Sequence, residues 1–324
     1  MTGDGSVLVA AGLAVLALVL LVPVPRLLAR AAWPHRAPRA ALALWHAVAH
    51  TAGLSVVGAF VALAVSPLAV AYRHGLHVLL AQTMAGDPLR GLGPFQIAAL
   101  AGAATVAAGL TGVLARTAAV NARLHRSHRN RVDLVGDRDA RPHGLGGGAL
   151  EGVRVLDHPA PFAYCLPGLR ARVVISSGLV ALLSPAELAA VVDHERAHAR
   201  GRHHMLLLPF AAVSRALPKA ATARLAFEAA RQLTEMLADD QARSRHGGAT
   251  VATALVRLAT HRAGPGAVRP LPGGALAAAE NAVLARVRRL LAPATAPAWQ
   301  RLLAYATAAA LVAVPTALLV PCLT

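Results

Sequence analysis

Four apolar blocks decide what this chain can become. They cover about residues 6–24, 41–72, 94–114 and 302–323, and each reaches the roughly 20 residues a helix needs to cross a bilayer. With 56% hydrophobic and only 15% charged residues, the chain carries more apolar surface than a soluble domain can bury. The second block exceeds the need, which predicts tilt, a kink near Ser66-Pro67 or an extension into water. The first block does not read as a cleavable signal. Residues 1–6 hold no basic residue and include Asp4, whereas Arg26, Arg30, Arg36 and Arg39 follow the apolar run, the reverse of a signal peptide.

Arginines return after the third block (Arg116, Arg123, Arg126, Arg129, Arg131) and before the fourth (Arg286, Arg288, Arg289, Arg301). Positive flanks face the cytoplasm. The connection over residues 73–93 is poorer in positive charge and is expected outside. The expected fold is a mainly α membrane protein of four transmembrane helices, with an α+β domain inserted on the cytoplasmic side and both termini outside. The expected domains are residues 1–116 with three spans, 117–300 as the cytoplasmic domain and 301–324 as the fourth span.

The net charge of +17 does not point to nucleic acid, because much of the arginine brackets apolar blocks, where it meets anionic lipid headgroups of the bilayer. No direct nucleic-acid partner is expected. Cys165 and Cys322 fall on opposite sides of the expected membrane, so no disulfide between them is predicted.

The chemistry is concentrated in His194-Glu195-Arg196-Ala197-His198. On a helix, residues four apart lie on one face about 6 Å apart along the axis, so both imidazoles converge on one ion. Two histidines with a glutamate between them are a zinc-hydrolase arrangement, in which the glutamate takes the proton of an attacking water. The helix itself is well signalled. Ser184-Pro185-Ala186-Glu187 is a capping box with proline at the first helical position, and Leu188, Val191 and Val192 continue an apolar stripe.

A catalytic zinc takes a third protein ligand, and two candidates compete. One is Glu235 on a second helix expected over about residues 227–245, with Asp239 four residues on to accept the free ring N–H of a ligand histidine. The other is His204, because residues 194–204 also fit a three-histidine pattern with Gly201 as the turn. Glu235 is preferred: a carboxylate ligand with a carboxylate behind the histidine is the two-His, one-Glu arrangement. His203 and His204 then read as polar residues near a helix end, where the dipole favours positive charge.

Around the motif, residues 152–157, 162–166 and 172–176 read as short strands of a small antiparallel sheet. If Val173, Val174 and Ile175 lie at its edge, they can pair with an extended substrate backbone. Arg243, one turn beyond Asp239, is a candidate oxyanion partner or an ordinary ion-pair residue. Residues 143–148 and 264–274 are loop-like, and residues 275–291 form a basic amphipathic helix suited to a membrane surface or a plain protein surface. His46 and His50 stand four apart but lack nearby carboxylates, so packing or headgroup contact is expected rather than a second metal.

Three apolar blocks, a helix carrying His194, Glu195 and His198, a later helix with Glu235 and Asp239, then a fourth block resemble the BlaR/MecR-type membrane metallopeptidases. The core is more distantly similar to HtpX and the CAAX prenyl endopeptidases. The resemblance implies a gluzincin-type fold, Zn2+ as cofactor and endopeptidase activity. It assigns His194, His198 and Glu235 as ligands and Glu195 as base. The substrate class it implies is a protein or peptide in the cytoplasm or membrane, with a winged-helix transcriptional repressor at the end of the pathway. Antibiotic-sensing members carry a large extracellular sensor after the fourth span, whereas this sequence runs to Thr324, so direct β-lactam sensing is not expected. A quality-control membrane protease and a non-catalytic scaffold with structural zinc are the alternative expectations.

Overall fold

A computed structural model describes residues 4–68, 71–135, 153–168, 171–263, 273–292 and 295–319. The chain divides into two units, residues 1–116, 210–229 and 296–324, and residues 117–209 with 230–295.

The first unit is built on α1 (Asp4–Leu21), the short α2 (Pro23–Arg30), α3 (Pro38–Ala64) and α4 (Tyr72–Met84). Leu20 packs with Leu44, Ala47 and Val48 of α3, while Ala10 packs with Ala62 and Val65, so α1 and α3 run antiparallel. Alanines at these contacts let the backbones approach, as helices in lipid require when no hydrophobic drive holds them together. Leu8, Val15 and Leu18 of α1 point outward, as lipid-facing residues do.

Expectation and structure differ over residues 41–72. The helix ends at Ala64, because Pro67 has no N–H to donate to the Leu63 carbonyl. The Ser66 hydroxyl donates to that carbonyl instead, at 2.9 Å. The segment over 73–93, expected as a loop, begins with a helix from Tyr72 to Met84.

The third apolar block lies in α5 (Pro94–Val135), a continuous helix of 42 residues. At 1.5 Å per residue this is about 63 Å, roughly twice the hydrocarbon thickness of a bilayer. The stretches Gly5–Arg30, Pro38–Ala64 and Pro94–Asp133 are long and apolar enough to cross a membrane.

The second unit holds β1 (Val153–Leu156), β2 (Ala163–Leu166) and β3 (Arg172–Ser176), followed by α6 (Ser177–Leu182), α7 (Pro185–Arg200) and α8 (His203–Leu206). The sheet is mixed, in the order β1-β3-β2, with β1 parallel and β2 antiparallel to β3. This corrects two expectations: the sheet is not purely antiparallel, and β3 is its centre. Val174 and Ile175 are fully buried and both edges of β3 are paired, so Val173, Val174 and Ile175 have no free backbone edge for a substrate.

The Ser184 capping box forms as the sequence predicts: Ser184 Oγ accepts from the Glu187 amide, and the Glu187 carboxylate accepts from the Ser184 amide at 2.8 Å. Leu188 and Val192 of α7 then enter a core with Val173, Ile175 and Leu179, which seats the motif helix under one face of the sheet. Next come α9 (Leu208–Ala216), α10 (Ala221–His246), α11 (Gly248–Ala263) and α12 (Gly273–Leu291). Val287 and Leu290 of α12 pack with Ala190, Ala242 and Val251, so this helix is a structural member of the unit rather than a membrane-surface helix. The loop-like stretches at 143–148 and 264–272 lie outside the described residues.

The last helix, α13 (Ala298–Leu319), belongs to the first unit and contains Pro315. Pro315 removes the donor for the Leu311 carbonyl, and Thr51 of α3 supplies a hydroxyl to it at 2.7 Å. Thr51→Val is therefore expected to lower thermal stability in detergent by about 1–2 kcal/mol, since it strands a buried carbonyl. In a Pro315→Ala background the same change is expected to cost clearly less, and equal costs in the two backgrounds would contradict the assignment.

Candidate metal centre

α7 and α10 face one another across a cluster of titratable side chains. His194 Nε2 and His198 Nε2 lie 3.2 Å apart. The Glu235 carboxylate is 3.6 Å from the first and 3.5 Å from the second. A tetrahedral ion with bonds of 2.0–2.2 Å holds its ligand atoms about 3.4 Å from one another. The two Glu235 distances are to different oxygens, Oε2 and Oε1 respectively, and with one atom of each residue within 4.8 Å of the others the three side chains form a group able to hold a metal ion.

The other ring nitrogens are also engaged. His194 Nδ1 is 3.1 Å from Asp239, the orienting contact expected of a carboxylate behind a ligand histidine. His198 Nδ1 is 2.9 Å from His203 Nδ1. Sequence reasoning missed His203. The chain folds back because Arg202 takes a left-handed conformation at φ 48°, and Gly201 leaves room for the ring: a Cβ there would collide with His203 Nε2. His204 turns instead toward His125 of α5, their ring centroids 6.1 Å apart, and is not in the metal group. The three-histidine alternative is not the arrangement found.

Arg286 is the second residue that sequence reasoning did not place in the site. From α12 it makes two 2.7 Å hydrogen bonds to Asp239 and lies 3.0 Å from Glu235. Its only sequence signal is its place beside the apolar stripe of α12. The Arg243 stem lies beside Gly248 at the α10–α11 turn. His46 also stays outside any metal group, its Nδ1 2.8 Å from the Leu42 carbonyl oxygen.

The charges are mutually dependent. Burial works against a charge on His194, but hydrogen bonds to Asp239 and Glu235 outweigh it and raise its pKa to about 9. For Glu235 burial is again the largest influence and opposes ionisation, yet His194 and Arg286 hold its pKa down at about 2. Asp239 stays ionised in the same way, through Arg286 and His194. Burial depresses His198 to about 4, which leaves it neutral and ready to bind a metal.

Glu195 lies next to this group, and burial raises its pKa. The Cys165 backbone N–H donates to its carboxylate. In β2 the Phe162 carbonyl points to β3, where it accepts from the Ser176 amide. By strand alternation Tyr164 also points inward, while Ala163 and Cys165 turn their backbone groups to the free edge. The free edge of β2 therefore runs past Glu195.

Two imidazoles on α7 and a carboxylate on α10, in a mostly helical chain with a small sheet, make a group able to hold a metal ion, as the ligand set of a metallopeptidase does. Residues 126–263 match the model of peptidase family M48, which supports a metallopeptidase. No curated protein and no solved structure matches the chain.

Two measurements follow from the charge network. Arg286→Gln leaves two carboxylates without their cation, and is expected to cost about 3–5 kcal/mol of stability and to weaken metal affinity by about 10–100-fold; an unchanged melting temperature would contradict this. Metal binding near neutral pH must displace the proton that His194 carries. Apparent affinity, read by chelator competition, is expected to rise about tenfold per pH unit up to about pH 9, because each ion bound releases one proton.

Proposed function

We propose that this protein is an integral membrane zinc endopeptidase that cleaves a protein substrate at the cytoplasmic side. The observation that carries the proposal is the convergence of His194, His198 and Glu235 into one group able to hold a metal ion, with a buried carboxylate beside it that is not a member of the trio. Structural zinc sites close with four protein ligands, whereas catalytic ones keep a position open, which favours an enzyme over a scaffold.

When bound, zinc supplies Lewis acidity to water and to a peptide carbonyl. The chain supplies the rest. Glu195 accepts the proton of the attacking water, and its raised pKa suits it to return that proton to the leaving amine near neutral pH. Asp239 and His203 hold the two ligand rings in place. The substrate lies along the free edge of β2, extended, with its backbone paired to Ala163 and to the Cys165 carbonyl, which takes over the role first expected of β3.

In this reading α13 is the fourth span. The basic residues Arg26, Arg30, Arg36, Arg39 and Arg301 gather at one end of the first unit, where Ala37 and Ala40 pack with Ala296 and Ala304. Trp33, Trp45 and Trp299, all the tryptophans of the chain, lie in the same segments. Arginine with tryptophan marks a cytoplasmic interface, and both termini then lie outside. By resemblance to BlaR/MecR-type enzymes, the pathway ends in removal of a winged-helix repressor; membrane-protein quality control is the competing reading.

Glu195→Gln is expected to keep its zinc and lose about 10²–10⁴-fold of its peptide cleavage, because the ligands remain and the base is gone. Equal cleavage by the two forms would refute the mechanism. Repressor levels that are the same in cells expressing either form would remove the signalling role and leave quality control.

A further inference from the structure

A second feature lies on the face of the sheet away from α7. Strand alternation sends Tyr164 and Leu166 of β2 to this face, where they pack with Val174 of β3 and Val132 of α5. Beside them opens a pocket of about 290 Å³ lined by Leu124, His125, Ser127, His128, Arg131 and Leu166. Two leucines give it an apolar part. Its other members are one fixed cation, two imidazoles and a hydroxyl, with no carboxylate among them.

The positive character extends beyond the pocket. Between residues 121 and 135 α5 carries Arg123, Arg126, Arg129 and Arg131 against the single acid Asp133, and Asp133 is paired with Arg172 at 2.9 Å. His128 is oriented by the Tyr164 hydroxyl, 2.8 Å from its Nε2.

The position matters as much as the charge. A peptide added to the free edge of β2 sends alternate side chains to opposite faces of the sheet. One row points to the face carrying the metal centre, the other to the face carrying this pocket. Leu166 belongs both to β2 and to the pocket wall, so the pocket is within a side chain's length of the docked strand.

We propose that this pocket is a specificity subsite that selects an acidic side chain of the polypeptide bound along β2, its methylenes on Leu124 and Leu166 and its carboxylate facing Arg131 and His128. The proposal rests on the peptidase reading for the docking of that polypeptide.

The test uses the full chain carrying Glu195→Gln, in detergent and loaded with zinc, and short fluorescent peptides of alanine and valine. A single Glu is moved along the peptide, each version having a Gln and a Lys twin. At one position the Glu peptide is expected to bind about fivefold more tightly than its Gln twin, the scale of a partly exposed ion pair, with the difference shrinking from about 50 to about 500 mM salt. Arg131→Gln should abolish the preference and Arg131→Glu should turn it toward Lys. His128→Gln, which should reduce it, serves if the Arg131 variants do not fold. Equal binding of the twins at every position, preferences untouched by these changes, or no binding of any peptide would overturn the proposal. Cleavage of the same peptides by the wild-type chain separates the two readings. Preference without cleavage sinks the peptidase reading alone, and cleavage without preference sinks the subsite alone.

Discussion

The site depends on Arg286. Without a fixed cation, Glu235 and Asp239 would be two carboxylates four residues apart on one helix and withdrawn from water, a cost that a protein ordinarily meets by protonating one of them. Arg286 keeps both ionised, through two 2.7 Å bonds to Asp239 and a 3.0 Å contact to Glu235. Ionised Asp239 can then hold His194, and ionised Glu235 can serve a metal. The packing of α12 follows from the same need: Val287 and Leu290 anchor it to α7, α10 and α11, which fixes where the guanidinium points. Arg289 repeats the device one turn on, with bonds of 2.8 and 2.6 Å to Asp240.

A second constraint recurs in the apolar unit. A proline inside a helix leaves a carbonyl without its partner, and in lipid that carbonyl has no water to turn to. At Pro67 the helix stops and Ser66 satisfies the carbonyl locally. At Pro315 the helix continues, because Thr51 reaches across from α3. The same chemical fault therefore ends one helix and ties another to its neighbour, and the difference lies in whether a hydroxyl on an adjacent helix is within reach.

Much of this was legible in the sequence. Features that are periodic or local read directly: the apolar blocks, the capping box at Ser184, the motif at His194 to His198, and the face shared by Glu235 and Asp239. Features set by long-range packing did not. Arg286 lies 47 residues from Asp239, and nothing in its local sequence distinguishes it from Arg288 and Arg289 beside it. His203 looked like helix-end charge because its role depends on a left-handed Arg202 that no residue preference announces. The sheet order failed for a similar reason. The sequence suggests a small antiparallel sheet, but β1 pairs with β3 past β2, which leaves the free edge near Glu195 on β2 rather than on the most strand-like segment.

The central claim is that His194, His198 and Glu235 together hold one zinc ion. Elemental analysis of purified protein tests it most directly, with wild type, Glu235→Ala and His204→Ala treated alike. The account predicts about one zinc per chain in wild type and in His204→Ala and little in Glu235→Ala, as a three-ligand site requires. Zinc retained in Glu235→Ala and lost in His204→Ala would contradict it.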